Sequence, residues 1–298
     1  MDEKMDTFVA GVGESNIIIM CIIYLLAGGF SAVAQAMGGV DATVNFGLSI
    51  IPPSLVLPGL FIIAAFVATA MGTSMGTIAS VAPIAVDMAA KANLPLAVAV
   101  GAVVGGAMFG DNLSMISDTT IAATKTQGCE MKDKFIMNLI IAAPAALLTI
   151  IIMIISGASG QVPSDLAYDF IKIIPYIAVL GLALAGVNVF MVLILGTVLA
   201  GGIGLADGSF TFLSFSQTVY DGFVSMQEIF ILSLLIGGLA AMITKDGGID
   251  YLLDFINSKI KGRKGAELGI GALVSLADIC TANNTVAIVI TGPMAKEI

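Results

Sequence analysis

The sequence contains no histidine, few charged residues and only three cysteines. Without histidine, zinc sites with imidazole ligands and catalytic triads built on histidine are excluded. Cys21, Cys129 and Cys280 lie far apart in no CxxC or metal-binding spacing, which predicts apolar packing or free thiols rather than disulfides. The net charge is −9, and no basic patch is interleaved with aromatic residues, so we expect no nucleic-acid partner.

Charged residues make up only 11% of the chain, whereas hydrophobic residues make up 58%. A soluble domain normally carries about a quarter charged residues. We therefore expect an all-α, polytopic membrane protein whose main partner is the lipid bilayer. The N-terminal residues Met-Asp-Glu-Lys-Met-Asp lack the basic region of a secretory signal peptide, so we expect the first apolar run to be retained.

Long apolar runs predict about six transmembrane helices, at 17–37, 96–122, 135–155, 170–187, 189–206 and 229–243. Cationic residues cluster in the linkers 125–134 and 259–264, whereas the linkers 156–168 and 207–228 contain neither lysine nor arginine. The positive-inside rule places the first two linkers in the cytoplasm and the other two outside. The number of predicted crossings between the two basic linkers is even, as this assignment requires.

Two further apolar segments are interrupted by small polar residues and predict re-entrant hairpins. In the first, Gly72-Thr-Ser-Met-Gly-Thr77 separates the arms 55–71 and 78–90, which fall short of the roughly 20 residues that a spanning helix needs. The second has its tip at 281–285. Irregular backbone at membrane depth survives only when it is buried in protein or faces a cavity. The alternative is a face of small residues that packs against another helix.

A third polar interruption follows the apolar run 96–108, where the chain reads Phe-Gly-Asp-Asn-Leu-Ser-Met-Ile-Ser-Asp-Thr-Thr from Phe109 to Thr120. A charge in hydrocarbon costs about 3 kcal/mol even on insertion scales, so such groups usually line a site or a water path. We expect Gly110 to loosen the helix where the polar groups begin, as in discontinuous membrane helices that bind ions. The alternative is that Asp111 and Asp118 are solvated in a loop.

An internal repeat relates the two hairpins. Without a gap, Pro83-Ile-Ala-Val-Asp87 aligns with Pro293-Met-Ala-Lys-Glu297, and Thr73-Ser74 then falls opposite Asn283-Asn284. If the segment 96–122 crosses once, the hairpins enter from opposite sides, which is typical of inverted repeats that hold substrate and coupling ions near mid-membrane. We divide the chain into a first repeat at 1–134, connecting helices at 135–264 and the start of a second repeat at 265–298.

These motifs resemble the NhaC-type Na⁺/H⁺ antiporters of the ion transporter superfamily, most specifically in the stretches Gly72–Ala79, Phe109–Thr120, Thr281–Ala287 and Gly292–Glu297. The resemblance implies exchange of Na⁺ for H⁺ across a bacterial or archaeal cytoplasmic membrane, with both ions as cargo and no other cofactor. Relatives with these motifs also move organic anions or amino acids. They are usually longer, so we expect a truncated chain that lacks a second broken helix, with a second copy or a complementing membrane segment as its protein partner.

The candidate ion ligands are oxygen groups, which hard cations prefer. Asp111 and Asp118, the expected Na⁺ ligands, are seven residues apart and would share one face of a continuous helix. Loss of water favours the protonated form of a carboxyl group, whereas a bound cation favours the ionised form, so one carboxylate can carry either ion. The other candidates are Asn112, Ser114, Ser117, Thr119, Thr73, Ser74, Asn283, Asn284 and Asp278.

We do not expect an enzyme. Intramembrane aspartyl proteases need Gly-x-Gly-Asp downstream of Tyr-Asp, whereas here Gly110-Asp111 lies upstream of Tyr220-Asp221. Two other functions stay open: a Na⁺- or H⁺-coupled carboxylate or amino-acid exchanger, and an inactive fragment of such a transporter. The predicted core contains no arginine that would pair with a substrate carboxylate, although helix N-termini at the hairpin tips can take that role.

Overall fold

The computed structural model describes residues 2–92, 94–156, 166–248, 263–281 and 284–297, and these residues form helices and no β-strand. The predicted all-α class is confirmed. Short 3-10 helices at Pro53–Leu55 and Phe170–Ile173 precede α4 and α9. The α-helices of the described residues are α1 Asp2–Val12, α2 Ser15–Ala36, α3 Gly39–Ile50, α4 Val56–Met71, α5 Ser74–Ala92, α6 Leu96–Leu113, α7 Asp118–Gln127, α8 Met131–Ile155, α9 Ile174–Leu184, α10 Val189–Ala206, α11 Phe212–Ser225, α12 Gln227–Lys245, α13 Arg263–Thr281 and α14 Asn284–Glu297.

Within the described ranges, six helical segments are long and apolar enough to cross a membrane, which confirms the polytopic class and the expected number. The set of segments differs from the prediction in two places. Pro53–Met71, predicted as a hairpin arm, reaches spanning length because a 3-10 turn extends it, whereas Phe170–Leu184 is shorter than a span. Gly186, with φ at 80°, follows the end of α9 and stops it before the apolar run ends. The six segments are Ser15–Ala36, Pro53–Met71, Leu96–Gln127, Met131–Ile155, Val189–Ala206 and Gln227–Lys245.

The chain divides into two compact units. Unit 1 comprises residues 1–25, 118–130 and 225–298, and unit 2 comprises residues 26–117 and 131–224. In unit 1, α1 packs on α12, and α14 packs against α7, α12 and α13. In unit 2, α4 contacts α3, α5, α6, α8 and α9, and 12 of its 16 residues are buried, so α4 is the central helix of that unit.

Gly106 and Gly110 allow α6 to lie directly against α4. A Cβ atom on Gly106 would be 2.2 Å from the Phe61 carbonyl oxygen, and one on Gly110 would be 2.1 Å from the Ala65 carbonyl oxygen. The Thr69 hydroxyl also donates a hydrogen bond to the Gly110 carbonyl (3.1 Å). The expectation that Gly110 loosens the helix is therefore wrong. Glycine costs a helix about 1 kcal/mol relative to alanine, and close packing on α4 offsets that cost.

The linker 207–228, which the charge pattern predicts as an external loop, contains the helix α11. Its Phe223 ring lies against Gly29, and a Cβ atom on Gly222 would be 2.5 Å from the Gly28 carbonyl oxygen.

The helix α1 is also absent from the prediction. It is held to α12 by an ion pair between Glu3 and Lys245 (2.8 Å), which lowers the pKa of the Glu3 carboxyl.

The two hairpins have the same register along the chain. The end of the first helix, the start of the second helix and a proline at the tenth position of the second helix fall at equivalent positions in both hairpins. This match of helix bounds supports the internal repeat, while the repeat boundaries and the opposite directions of insertion stay predictions. The paired positions, each 210 residues apart, are Met71 and Thr281, Ser74 and Asn284, and Pro83 and Pro293.

Candidate functional site

The tip of the first hairpin is shaped by one glycine and one threonine. Gly72 adopts the left-handed backbone region (φ 74°), which favours glycine, and its N–H donates to the Ala68 carbonyl as α4 ends. Thr73 then caps α5, because its hydroxyl accepts a hydrogen bond from the Gly76 N–H (3.2 Å). Ser74 follows as the first, half-buried residue of α5. The candidate Thr73 thus has a clear structural role as a helix cap.

This tip lies against the break between α6 and α7, within unit 2. A Cβ atom on Gly72 would be 2.9 Å from both the Cγ1 atom and the carbonyl oxygen of Ile116. The break itself comprises residues 114–117, in which Ser114 and Ser117 are buried. The Ser114 hydroxyl accepts a hydrogen bond from the Ile116 N–H (3.3 Å). The helix is therefore interrupted four residues later than the glycine that was expected to interrupt it.

Asp111 lies in the last turn of α6, half-buried, beside a lysine that the sequence analysis assigned to a cytoplasmic linker. Lys134 belongs to the first turn of α8; its ammonium group donates to the Asn112 carbonyl oxygen (2.6 Å) and interacts electrostatically with Asp111. The Asn138 amide donates to the same carbonyl (3.1 Å) and to the Asn112 side chain. Because Asp111 and Lys134 are separated by the break and by α7, no local sequence pattern indicates this contact.

Asp118 is the first residue of α7 and belongs to unit 1. One carboxylate oxygen accepts a hydrogen bond from the Thr119 N–H (2.9 Å), and the other accepts one from the Thr285 hydroxyl (2.8 Å). Thr285 lies in the first turn of α14 and is only 2% exposed. The positive end of the α7 dipole also favours a negative charge at this position.

Thr285 was not among the residues predicted from the sequence, although it lies inside the predicted tip 281–285. In the repeat alignment its counterpart is Met75, whose side chain has no oxygen. The repeat therefore did not indicate Thr285 as a ligand. Its position directly after Asn283-Asn284 was the only available indication.

Other buried hydroxyl groups occur elsewhere in unit 1. Tyr24 is fully buried on α2, beside Ser233 of α12 and within electrostatic reach of Asp118. The hydroxyls of Thr124 on α7 and Thr291 on α14 are buried and donate to carbonyl groups of their own helices.

The remaining candidates are less closely connected. Asp278 lies on α13 and is half-buried; its buried Oδ1 atom forms no hydrogen bond with a described residue. Asn284 is exposed at the start of α14, and Asn283 lies outside the described residues. The expectation that the two hairpins hold substrate and coupling ions near mid-membrane stays a prediction.

Within the described ranges, no group of three or more histidine, cysteine, aspartate or glutamate side chains is arranged to hold a metal ion. Unit 1 instead brings one carboxylate, Asp118, together with the hydroxyl of Thr285. A site with one charged carboxylate and a neutral hydroxyl oxygen is suited to a monovalent hard cation, because ligand charge and number set how strongly a site attracts a cation.

Residues 1–158, just over half of the chain, match the model of a family described as the Na⁺/H⁺ antiporter family. The malate-2H⁺/Na⁺-lactate antiporter of Bacillus subtilis is 30% identical over 145 residues, which are 49% of this chain and 31% of that protein. The Na⁺/H⁺ antiporter NhaC of Alkalihalophilus pseudofirmus is 29% identical over 148 residues, 50% of this chain and 31% of that protein.

The arginine/ornithine antiporter ArcD of Halobacterium salinarum is 24% identical over 238 residues, which are 74% of this chain and 48% of that protein. The chain therefore matches between 31% and 48% of the length of these three curated relatives. All three are named as antiporters, so the similarity is to transporters and not to enzymes.

Proposed function

Because the chain belongs to the Na⁺/H⁺ antiporter family, we propose that it exchanges Na⁺ for H⁺ across the cytoplasmic membrane, with the two ions as its cargo. The observation that carries this proposal is the hydrogen bond from the Thr285 hydroxyl to the Asp118 carboxylate (2.8 Å). It connects the polar start of α7 to the second hairpin, so two of the four stretches that carry the resemblance contribute to one site.

The pair of Asp118 and Thr285 can serve each state of such an exchange. A threonine hydroxyl has one hydrogen to donate and two lone pairs to accept. Next to an ionised carboxylate it donates, as observed. Next to a protonated carboxyl group it can accept, and next to Na⁺ its oxygen can act as a ligand together with the carboxylate.

Occupancy of Asp118 by Na⁺ and by H⁺ is mutually exclusive in this proposal. A carboxylate that gains a proton loses the charge that attracts Na⁺, and a bound Na⁺ opposes protonation. The N-terminus of α7 adds a positive potential that disfavours a second cation. When such a site is exposed to one side of the membrane at a time, entry of one ion requires release of the other.

We assign a different role to Asp111. The ammonium group of Lys134 already lies next to it and is anchored on the Asn112 carbonyl oxygen. A fixed cation reduces the attraction of Asp111 for Na⁺, because it compensates the carboxylate charge. In the proposal, Asp111 and Lys134 stabilise the end of α6, and Asp118 exchanges the ions.

The test compares Asp118→Asn with a control, Asp221→Asn, which changes an exposed aspartate of α11 whose carboxylate accepts only from the Gln217 amide among the described residues. Purified full chain is reconstituted into vesicles, and uptake of radioactive Na⁺ is driven by an acid interior. Binding is measured separately, as the rise in melting temperature in Na⁺ relative to N-methylglucamine.

We expect wild type and Asp221→Asn to be stabilised by Na⁺ and to take it up, and Asp118→Asn to lose both responses. An undiminished response to Na⁺ in Asp118→Asn would refute the assignment. Stabilisation by Na⁺ without uptake would support the ion site and would show that transport needs a second copy or a complementing membrane segment.

Exchange of carboxylates or amino acids is the second candidate function. It is favoured by the similarity to the arginine/ornithine antiporter, whose match covers 74% of this chain. The same vesicles, loaded with malate or with ornithine, distinguish the two functions. If either solute inside is required for Na⁺ or H⁺ flux, this candidate replaces simple Na⁺/H⁺ exchange.

The proposed partners in the membrane are lipid and a second copy of the chain or a complementing segment. The helix α8 supports this, because Ala146 is the only buried residue among its 25. Its apolar side chains therefore form a surface within unit 2 that lipid or another membrane helix can cover.

A further inference from the structure

Unit 1 contains a cavity of about 400 Å³ that involves none of the contacts of Asp118. It is lined by residues from α1, α2, α7, α12 and α14, all of them described. Its volume lies within the range of small-molecule sites, roughly 300–1,000 Å³. Lys125 of α7 lines it seven residues after Asp118, about 10 Å along the helix. The cavity therefore lies towards the far end of α7.

The charged groups of this cavity are not balanced. Lys125 and Lys296 both line it, and neither forms an ion pair or a hydrogen bond with a described residue. The single lining carboxylate, Glu14, uses one oxygen to accept from the Ile17 N–H (3.0 Å) and the other to accept from the Asn16 amide (2.9 Å). With two ammonium groups and one carboxylate, the lining carries a net positive charge.

The two ammonium groups have a shared location at the end of α7. Lys125 belongs to the last turn of that helix, and the Lys296 ammonium lies 3.5 Å from where a Cβ atom on Gly128 would be, in the turn that follows. Lysines are often found at helix C-termini because of the helix dipole. That preference explains each lysine separately, but not a cavity between five helical segments that both of them line.

The rest of the lining is mostly apolar. The half-buried side chains of Ile17 on α2 and of Ala240 and Ala241 on α12 form much of it. A cavity with an apolar wall and two cations is complementary to an anion that has a short apolar body. It is not complementary to Na⁺, which the lysines repel, or to a small inorganic anion, which would leave the apolar wall uncovered.

We propose that this cavity binds a small organic carboxylate, with the carboxylate group between Lys125 and Lys296 and the apolar body against Ile17 and Ala241. A charge-assisted hydrogen bond to each ammonium group fixes the orientation. The proposal does not rest on Na⁺/H⁺ exchange. Na⁺ binding tests the site at Asp118, and carboxylate binding tests this cavity. Because the two are measured separately, either proposal can fail while the other holds. We expect Asp118→Asn to lose Na⁺ binding and to retain carboxylate binding.

The experiment uses radioactive hexanoate as the probe and measures its binding to the full chain in lipid-free detergent by equilibrium dialysis. Lys125→Met and Lys296→Met remove the charges while keeping an unbranched side chain. The matched control is Lys245→Met, which changes a lysine of α12 that is already paired with Glu3 and does not line the cavity. Ala240→Leu fills the apolar part without changing any charge.

We expect hexanoate to bind wild type and Lys245→Met equally, and to bind each cavity lysine variant about tenfold more weakly. Ala240→Leu should also weaken binding, and acetate, which lacks the apolar body, should compete poorly. Circular dichroism melting confirms that each variant is folded. Binding that is absent in wild type, equal in the Lys125→Met, Lys296→Met double variant, or matched by acetate overturns the proposal. Displacement of hexanoate by phosphatidylglycerol in nanodiscs, but not by phosphatidylcholine, also overturns it, because the occupant would then be a lipid headgroup.

Discussion

The hydroxyl of Thr285 can be removed with little change of shape by the substitution Thr285→Val. The side chain is 2% exposed, so water does not readily replace the lost hydroxyl, and one oxygen of Asp118 loses its hydrogen bond within the described residues. The matched variant Thr285→Ser keeps the hydroxyl and removes only a methyl group. Comparing the two variants separates the effect of losing the hydroxyl oxygen from the effect of changing the packing.

The expected magnitude follows from the hydrogen bond. A hydrogen bond to a charged group contributes about 1.5–3 kcal/mol, and about 1.4 kcal/mol corresponds to a tenfold change in a binding constant. If the Thr285 oxygen also ligates Na⁺, Thr285→Val should weaken Na⁺ binding by about ten- to a hundredfold. Thr285→Ser should bind Na⁺ within about threefold of wild type, since its oxygen can occupy the same place.

The assay is titration of the melting temperature with Na⁺ at constant ionic strength, using N-methylglucamine as the replacing cation. In reconstituted vesicles the concentration of Na⁺ that gives half-maximal uptake should move in the same direction. The reasoning is refuted if folded Thr285→Val binds Na⁺ as tightly as wild type. It is equally refuted if Thr285→Ser is as weak as Thr285→Val, because packing would then account for the loss.

Two further predictions concern packing and pH. Gly110→Ala should lower the free energy of unfolding by about 1–3 kcal/mol through overpacking against α4. Gly105→Ala, whose Cβ atom would lie 3.5 Å from the Phe61 ring, should melt at or slightly above the wild-type temperature. Equal melting of both variants would contradict the close packing of Gly110 on α4. The Lys172 ammonium lowers the pKa of Asp207 from 3.8 to about 2, so its ion pair (2.6 Å) should stabilise the protein above about pH 4 and cease to do so as the pH falls towards 2. Asp207→Asn should lack that part of the pH dependence of the melting temperature, and an unchanged profile would contradict the assignment.

The ends of the helices at the first hairpin were predictable because glycine and threonine determine the backbone conformation of their immediate neighbours. The arm predicted at 55–71 is observed as Val56–Met71, and the tip is at Gly72 and Thr73, where a left-handed turn and a helix cap need those residue types. The second arm, predicted at 78–90, is observed as Ser74–Ala92. The polar residues before 78 are part of that helix, since Thr73 satisfies its first N–H groups.

A break was predicted within Phe109–Thr120, but its exact position between α6 and α7 and the surroundings of Asp111 could not be predicted, because both depend on contacts between distant segments. Glycine favours a break when a helix is isolated, yet Gly110 fits a close approach to Ala65 that only the folded chain provides. Likewise, the cationic composition of the linker 125–134 predicts that its lysines are exposed to solvent. Lys134 nevertheless lies beside Asp111, because α8 packs against α6.

The neighbours of the two aspartates have an electrical consequence. Asp111 has a fixed cation beside it, whereas no described lysine or arginine forms an ion pair with Asp118. A proton and a Na⁺ ion each neutralise Asp118, so the two loaded forms of that site carry the same charge. The membrane potential acts on moved charge, with about 2.3 kcal/mol per elementary charge and 100 mV. Exchange at Asp118 alone would therefore be insensitive to voltage, and any current would require that Asp111 also change its charge.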